Sequence, residues 1–389
     1  MKKGCLEVAD RGQENNAVFA AKNVITDGKD LWMLSNDTDV LLHFDFASLR
    51  LLDYHIMPGK ILTQHAHLGL VKGGNIIYIV PYMENTLVSF DCITGKMENI
   101  NIPYETGEIR KKGKFNIIAI WKNQLVLIGH AIKGIFYYDI VSQSFTRDIE
   151  YLDELEKAGC DVNVVLFSDC YCQKDNKLYI PIFYKNMILE IDLEKNINKI
   201  HKLKHEEPIR LRTIDRYEEN GKEKFLLTTV NDEMLIWSPA GGIEKWRKLG
   251  LLRSKEGMYM RAYHVRKKNY YIAAEERKVF VEEDDEIREL EFEYESRGGA
   301  KEAAGGTQFE AIFKNGKDIF FQARSNGQLF RIDTAADMIC RIDFDVASEK
   351  REEIIDRVCN SRPVCDTLIE NMWFGLDSFL KVYVDREEK

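Results

Sequence analysis

A repeat limits what this chain can fold into more than any other feature. Seven stretches share one pattern: an apolar run, a polar break, a second apolar run, then an acidic or hydroxyl residue followed by a turn. The clearest unit runs from Gly74 to Pro103. The anchor residues are Asp45, Asp91, Asp139, Asp192, Ser238, Glu283 and Asp333, spaced 45 to 53 residues apart. A further apolar run precedes each unit, as in FNIIAIW and YMRAYHV. Four short strands per unit, arranged radially, leave each small sheet with only short, protected edges. The expected fold is all-β, a seven-bladed β-propeller of four-stranded blades over residues 16–345. An N-terminal extension (1–15) and a C-terminal helical tail (346–389) flank it.

An acidic or hydroxyl side chain at the anchor can accept hydrogen bonds from backbone amides of the turn behind it. The stretch Asp91-Cys92-Ile93-Thr94-Gly95-Lys96 resembles the apolar-Asp-x-x-Thr-Gly-Lys turn of quinoprotein-like, YVTN and streptogramin-lyase-like propeller repeats, and Asp333-Thr334 matches it in part. The resemblance extends over roughly residues 16 to 345 and implies a fold only, because so generic a turn carries no activity. The Trp-Asp and Gly-His pairs or Gly-Gly doublets of other propeller repeats do not recur.

Charge and composition narrow the partners. The net charge is −9 and acidic and basic residues are interspersed, which leaves no basic footprint for nucleic acid. No apolar run approaches the ~18 residues of a membrane helix, and Met1 to Asp10 lacks the apolar core of a secretory signal. Eight cysteines without a paired CxxC framework suit a reducing compartment, so the expected location is cytoplasmic. Cys170 and Cys172 fall on one face of a strand, where they pack or take a metal or redox role. Phosphate-loop glycines, a nucleophile elbow, zinc-finger spacing and a dinucleotide fingerprint are all missing from the sequence.

Alternation along the innermost strands separates channel-facing from blade-facing residues. Aligned on the following turn, these strands place Lys22, His67, Asn116, Asp169, Arg212, Arg261 and Glu310 in one polar column. Arg212 fits only if the loop from Glu218 to Glu223 absorbs an insertion. Nearer the mouth stand His65, Lys114, Arg210, Tyr259 and Gln308. The ends of the second strands add Asn36, Tyr82, His130, Asn231, Glu275 and Arg324. The candidate binding set is the column with Tyr82 and Arg324.

Guanidinium forks suit carboxylate or phosphate, so the set points to a small polar or anionic ligand, or to a protein partner. A polar, water-filled channel that binds nothing is the plainer reading. A lyase, hydrolase or isomerase would use His67 or His130 as base, Arg261 on an oxyanion, and Glu310 as acid or orienting group. His65 and His67 lack a third metal ligand, and no cofactor is indicated.

Three segments depart from the repeat. Ser361-Arg362-Pro363 reads as a helix start. Cys365, Leu368, Ile369, Met372, Leu376, Phe379 and Leu380 follow at helical spacing, with Trp373 and Phe374 as anchors if the helix docks a partner rather than the propeller. Asp284 to Gly306 is a last strand and a Gly/Ala-rich connection, either a lid over the mouth or simple disorder. Tyr151 to Cys160 reads as a short helical turn between blades three and four.

Overall fold

The computed structural model describes residues 19–35, 39–58, 66–111, 113–163, 167–183, 185–195, 197–206, 209–252, 260–293, 309–324 and 327–361. Among these residues, strands β1 to β28 pair in chain order into seven separate four-stranded antiparallel sheets, the blades of a propeller. The innermost strands are β1 (Ala21–Thr26), β5 (His67–Gly73), β9 (Phe115–Trp121), β13 (Cys172–Lys174), β17 (Leu211–Glu219), β21 (Met260–Val265) and β25 (Phe309–Asn315).

Second strands read as continuous apolar runs because neighbouring blades cover both of their faces. In β10 (Gln124–Gly129), Leu125, Val126, Leu127 and Ile128 are all fully buried. The core therefore lies between blades. Ile117, Val126 and Ile128 of blade 3 meet Leu178, Leu189 and Ile191 of blade 4. Helix α1 (Glu150–Lys157) caps that seam with Tyr151, Leu152 and Leu155, at the site of the expected helical turn.

The anchors close the turns between third and fourth strands. Asp91 accepts from the amides of Ile93 and Thr94, Asp139 from Val141 and Ser142, and Asp333 from Ala335 and Ala336. Ser238 does the same for Gly241 through its hydroxyl. Glu283 departs from the pattern. Its blade turns on Asp284 and Asp285, both in the left-handed region at φ 50° and 66°, a tight two-residue hairpin that needs no side-chain acceptor.

Two blades differ from the expected layout. The innermost strand of blade 4 is only three residues long, preceded by an isolated bridge between Phe167 and Ile182. Ser168 Oγ accepts from the Cys170 amide there, so the backbone follows its own side chain instead of the ladder. In blade 5 the insertion lengthens the first hairpin: β17 has nine residues and β18 (Lys222–Thr229) eight, joined at Asn220-Gly221, both with positive φ.

The tail also differs. Helix α2 (Ser348–Ser361) occupies the charged stretch and ends where a helix was expected to begin, while residues 362–389 lie outside the described residues. Its docking shows what holds it. Ile354 is fully buried among Phe19, Phe44, Tyr54 and Phe344, and Tyr54 Oη donates to Glu353 Oε1 at 2.7 Å. Just before the helix, Asp345 bridges Arg50 in parallel. Each blade is contiguous in sequence, so the seam between blades 7 and 1 has no shared sheet. This clasp closes it, together with the fully buried Gln322. Gln322 accepts from the Ala21 amide at 2.8 Å and donates to the carbonyls of Phe19 at 2.9 Å and Gly327 at 2.8 Å.

Candidate channel site

An innermost strand has one free edge, and its carbonyls there need partners. The preceding blade supplies many of them. Asn23 Nδ2 donates to Leu68 O, Asn116 Nδ2 to Phe167 O at 3.4 Å, and Ser168 Oγ to Arg212 O at 2.6 Å. Thr228 Oγ1 donates to Met260 O at 2.9 Å and Tyr263 Oη to Ile312 O at 2.9 Å. Much of the polarity of the inner strands is therefore spent on joining blades.

At the mouth the alternation breaks. β1, β9 and β17 each carry a bulge whose extra residue is Lys22, Asn116 and Arg212 respectively, and β5 and β25 carry bulges at Leu68–Gly69 and Ala311–Ile312. A bulge leaves its extra residue unpaired and re-aims the side chain. Three members of the polar column are themselves bulge residues.

A cavity of about 380 Å³ lies at this level, and Asn116, Asp169, Arg212, Arg261 and Glu310 are among the residues lining it. Five of the seven column residues thus share one space. In blade 1, Asn23 lines the cavity, while the side chain of Lys22 lies outside the described residues. His67 is turned into the wall. Its side chain is 1% exposed and Nδ1 faces the Asp39 carboxylate at 3.1 Å. Arg212 pairs with Asp169 at 3.2 Å and lies over the Phe183 ring. Arg324 pairs with Glu310 at 3.4 Å. Arg261 donates to Tyr263 Oη at 3.1 Å and to Cys170 Sγ, and stacks on Tyr263.

Other candidates sit apart from the cavity. Tyr82 packs against His130 with ring centroids 5.7 Å apart, and Gly113 is tucked beside both rings. Lys114 is buried, with Nζ on Met83 O at 3.0 Å, and burial holds its ammonium below the ordinary lysine range. Arg210 is exposed beside the channel strand. Asn231 takes part in its own turn through Thr229 Oγ1, and Glu275 is half-buried in the turn after β22 (Lys268–Ala273). Asn36, His65, Tyr259, Gln308 and the connection 294–308 lie outside the described residues.

Further along the inner strands the chemistry changes. Asp215, roughly 10 Å beyond Arg212 at strand rise, takes Lys314 Nζ on both oxygens at 2.9 Å and the His264 amide at 3.0 Å. That pair reaches from blade 5 to blade 7 past blade 6. Cys172 Sγ is spent on Ile214 O, and burial pushes its thiol well above the usual range. Among the described residues no group of three or more His, Cys, Asp or Glu is placed to hold a metal ion.

A second recess, about 410 Å³, lies at the outer edge of blade 3, lined by Glu105, Glu108, Lys111, Lys133 and Arg147 among others. Its arginine bonds Glu108 at 2.7 Å, Glu105 at 3.2 Å and Lys133 O at 3.0 Å, a structural knot between loop and blade.

No family model matches this chain, and no curated protein matches it. Solved structures do. The β-propeller domain of Cps50 (Swd1) from Myceliophteria thermophila shares 10% identity, covering 84% of this chain and 97% of that one, with a TM-score of 0.55. Hsv2 of Kluyveromyces lactis shares 9%, covering 82% and 95%, with a TM-score of 0.52. Dihydro-heme d1 dehydrogenase NirN, in complex with DHE, shares 10% with a TM-score of 0.54; 83% of this chain matches, spanning 66% of that one. At such identities the likeness is one of fold, and that fold is the seven-bladed β-propeller.

Proposed function

We propose that this protein is a cytoplasmic binding propeller that holds a small polar or anionic ligand in the mouth of its channel. One observation carries the reading: two guanidinium groups, Arg212 and Arg261, stand with Asn116, Asp169 and Glu310 around a single cavity of about 380 Å³. Planar forks on adjacent blades suit the oxygens of a carboxylate or phosphate. Among the described residues Cys92, Cys160, Cys172 and Cys340 form no disulfide, which accords with a reducing compartment.

Catalysis finds less support in this geometry. Asp169 and Glu310 are each tied to an arginine, and neither His67 nor His130 is among the described residues lining the cavity. Binding needs only the groups already assembled.

Thermal unfolding in the presence of sugars, sugar phosphates, nucleotides, carboxylates and peptides tests the reading. A compound bound only by the folded state adds about 2.7 kcal/mol at a hundredfold excess over Kd. The expected result is stabilisation by a carboxylate or phosphate compound that disappears in Arg261→Ala. Stabilisation that survives this change, or silence across the panel, counts against the channel site.

A further inference from the structure

The cavity wall changes character around the ring. Among the described residues, every side chain that lines it from blades 3 to 6 carries a polar group: Asn116, Asp169, Tyr171, Arg212 and Arg261. Blades 7 and 1 turn Ile312, Phe313 and Val24 to the same space. The polar members of that second arc are spent on the protein itself, Asn23 on Leu68 O and Glu310 on Arg324. Val24, Ile312 and Phe313 each rest on a core between blades, yet all three remain only half-buried. The strand that supplies two of them is strained. β25 bulges at Ala311–Ile312, and Ala311 takes φ 45°, a left-handed conformation that a residue with a Cβ enters only at a cost and that is typically held at functional sites. An apolar wall facing a few convergent polar groups is the composition of a small-molecule pocket.

We infer that the ligand is amphipathic: a polar head toward blades 4 to 6 and a short aliphatic portion against Val24, Ile312 and Phe313. The inference rests on the channel-site reading above and specifies its ligand. Arg212 and Asp169 keep their mutual ion pair while their side chains remain 16% and 27% exposed, so a polar head meets the pair without breaking it. A molecule hydroxylated or charged along its whole length would press polar groups against the apolar arc, where no partner replaces the water they lose. A methylene chain loses nothing there and gains the burial of its surface.

Calorimetric titration of the full chain with acetate, butyrate, hexanoate and gluconate separates these cases. Gluconate has the carbon chain of hexanoate with hydroxyls along it. Affinity is expected to rise about fourfold for each added methylene, the factor that burying one CH2 supplies, and gluconate should bind more weakly than hexanoate. Val24→Thr and Ile312→Thr, which put a hydroxyl into the arc, should each lower the ratio of hexanoate to acetate affinity about fourfold, and circular dichroism of both variants establishes that they fold. Arg261→Ala should weaken every member of the series. Equal binding of acetate, butyrate and hexanoate, or gluconate bound as tightly as hexanoate, overturns the amphipathic ligand while leaving a polar site. A rise with chain length that both threonine variants leave intact overturns the assignment of the aliphatic portion to this arc. Binding indifferent to Arg261→Ala, or no binding of any probe, overturns the channel site itself.

Discussion

The two tiers of the channel are built from the same seven strands and treat polar groups in opposite ways. In the lower tier Asp215 receives three hydrogen bonds, two from Lys314 and one from the His264 amide, and Cys172 is committed to a carbonyl. At the mouth, Asn116 Oδ1 and His67 Nε2 are buried without partners, and bulges re-aim the residues around a cavity. The lower tier is saturated and serves assembly. The mouth gathers charged groups around a cavity, the feature on which the proposed binding role rests. Charge alone does not tell the tiers apart, because both contain cross-blade ion pairs.

If saturation and not depth is what matters, a saturated group at mouth level should behave like the lower tier. Gln322 is such a group. Gln322→Ala strands the Ala21 amide and the carbonyls of Phe19 and Gly327 inside the blade 7 and blade 1 seam, and should cost about 3 kcal/mol in urea unfolding. A loss under about 1 kcal/mol would mean that the clasp alone holds the ring. Asp215→Ala, in the lower tier, leaves Lys314 facing no carboxylate. The expected loss is about 2 kcal/mol, less than for a fully buried pair because the lysine is 25% exposed. Asp215→Leu with Lys314→Met should recover much of it.

The smallest effect concerns the outer turns, which belong to neither tier. The amides of Ile93 and then Thr94 hold the Asp91 carboxyl below its ordinary 3.8, and the Ser142 amide and hydroxyl do the same for Asp139. A depressed carboxyl stabilises the fold fully above its unfolded pKa and loses that contribution as pH falls through the folded value. Thermal stability should therefore decline between about pH 4 and pH 2, with a shallower slope in Asp91→Ala. An unchanged slope would show that these turns form equally well without the charge.

The blades were legible because their spacing, apolar runs and turn acids are compositional. Five aspartates and a serine mark the end of a third strand wherever the turn needs an acceptor, and Glu283 misled only in role, since a hairpin with two left-handed residues closes without one. The column was legible as polar residues in register, and five of its members line one cavity. What strict alternation could not give was the bulges. One extra residue leaves no mark on composition, yet in blade 1 Asn23 comes to line the cavity. Nor could sequence reveal that His67 would be claimed by Asp39, or Lys114 by a carbonyl, because those partners come from the preceding blade. The helix Ser348–Ser361 went unread because its stretch is mostly charged, although Ile354 fills the seam; the helix expected from Ser361 onward falls outside the described residues.

The clasp also sets an order of events for a chain emerging from the ribosome. Blade 1 is synthesised first, but Tyr54 meets its helix partner only when Glu353 appears, 299 residues later. Until then Phe19, Phe44 and Tyr54 lack the cover that Ile354 gives them. Six blades can stack one upon another as they arrive, while the first holds an open apolar flank through nearly the whole of translation. Folding is therefore completed by the last described segment to be made, and a nascent chain arrested before it would present that flank to chaperones.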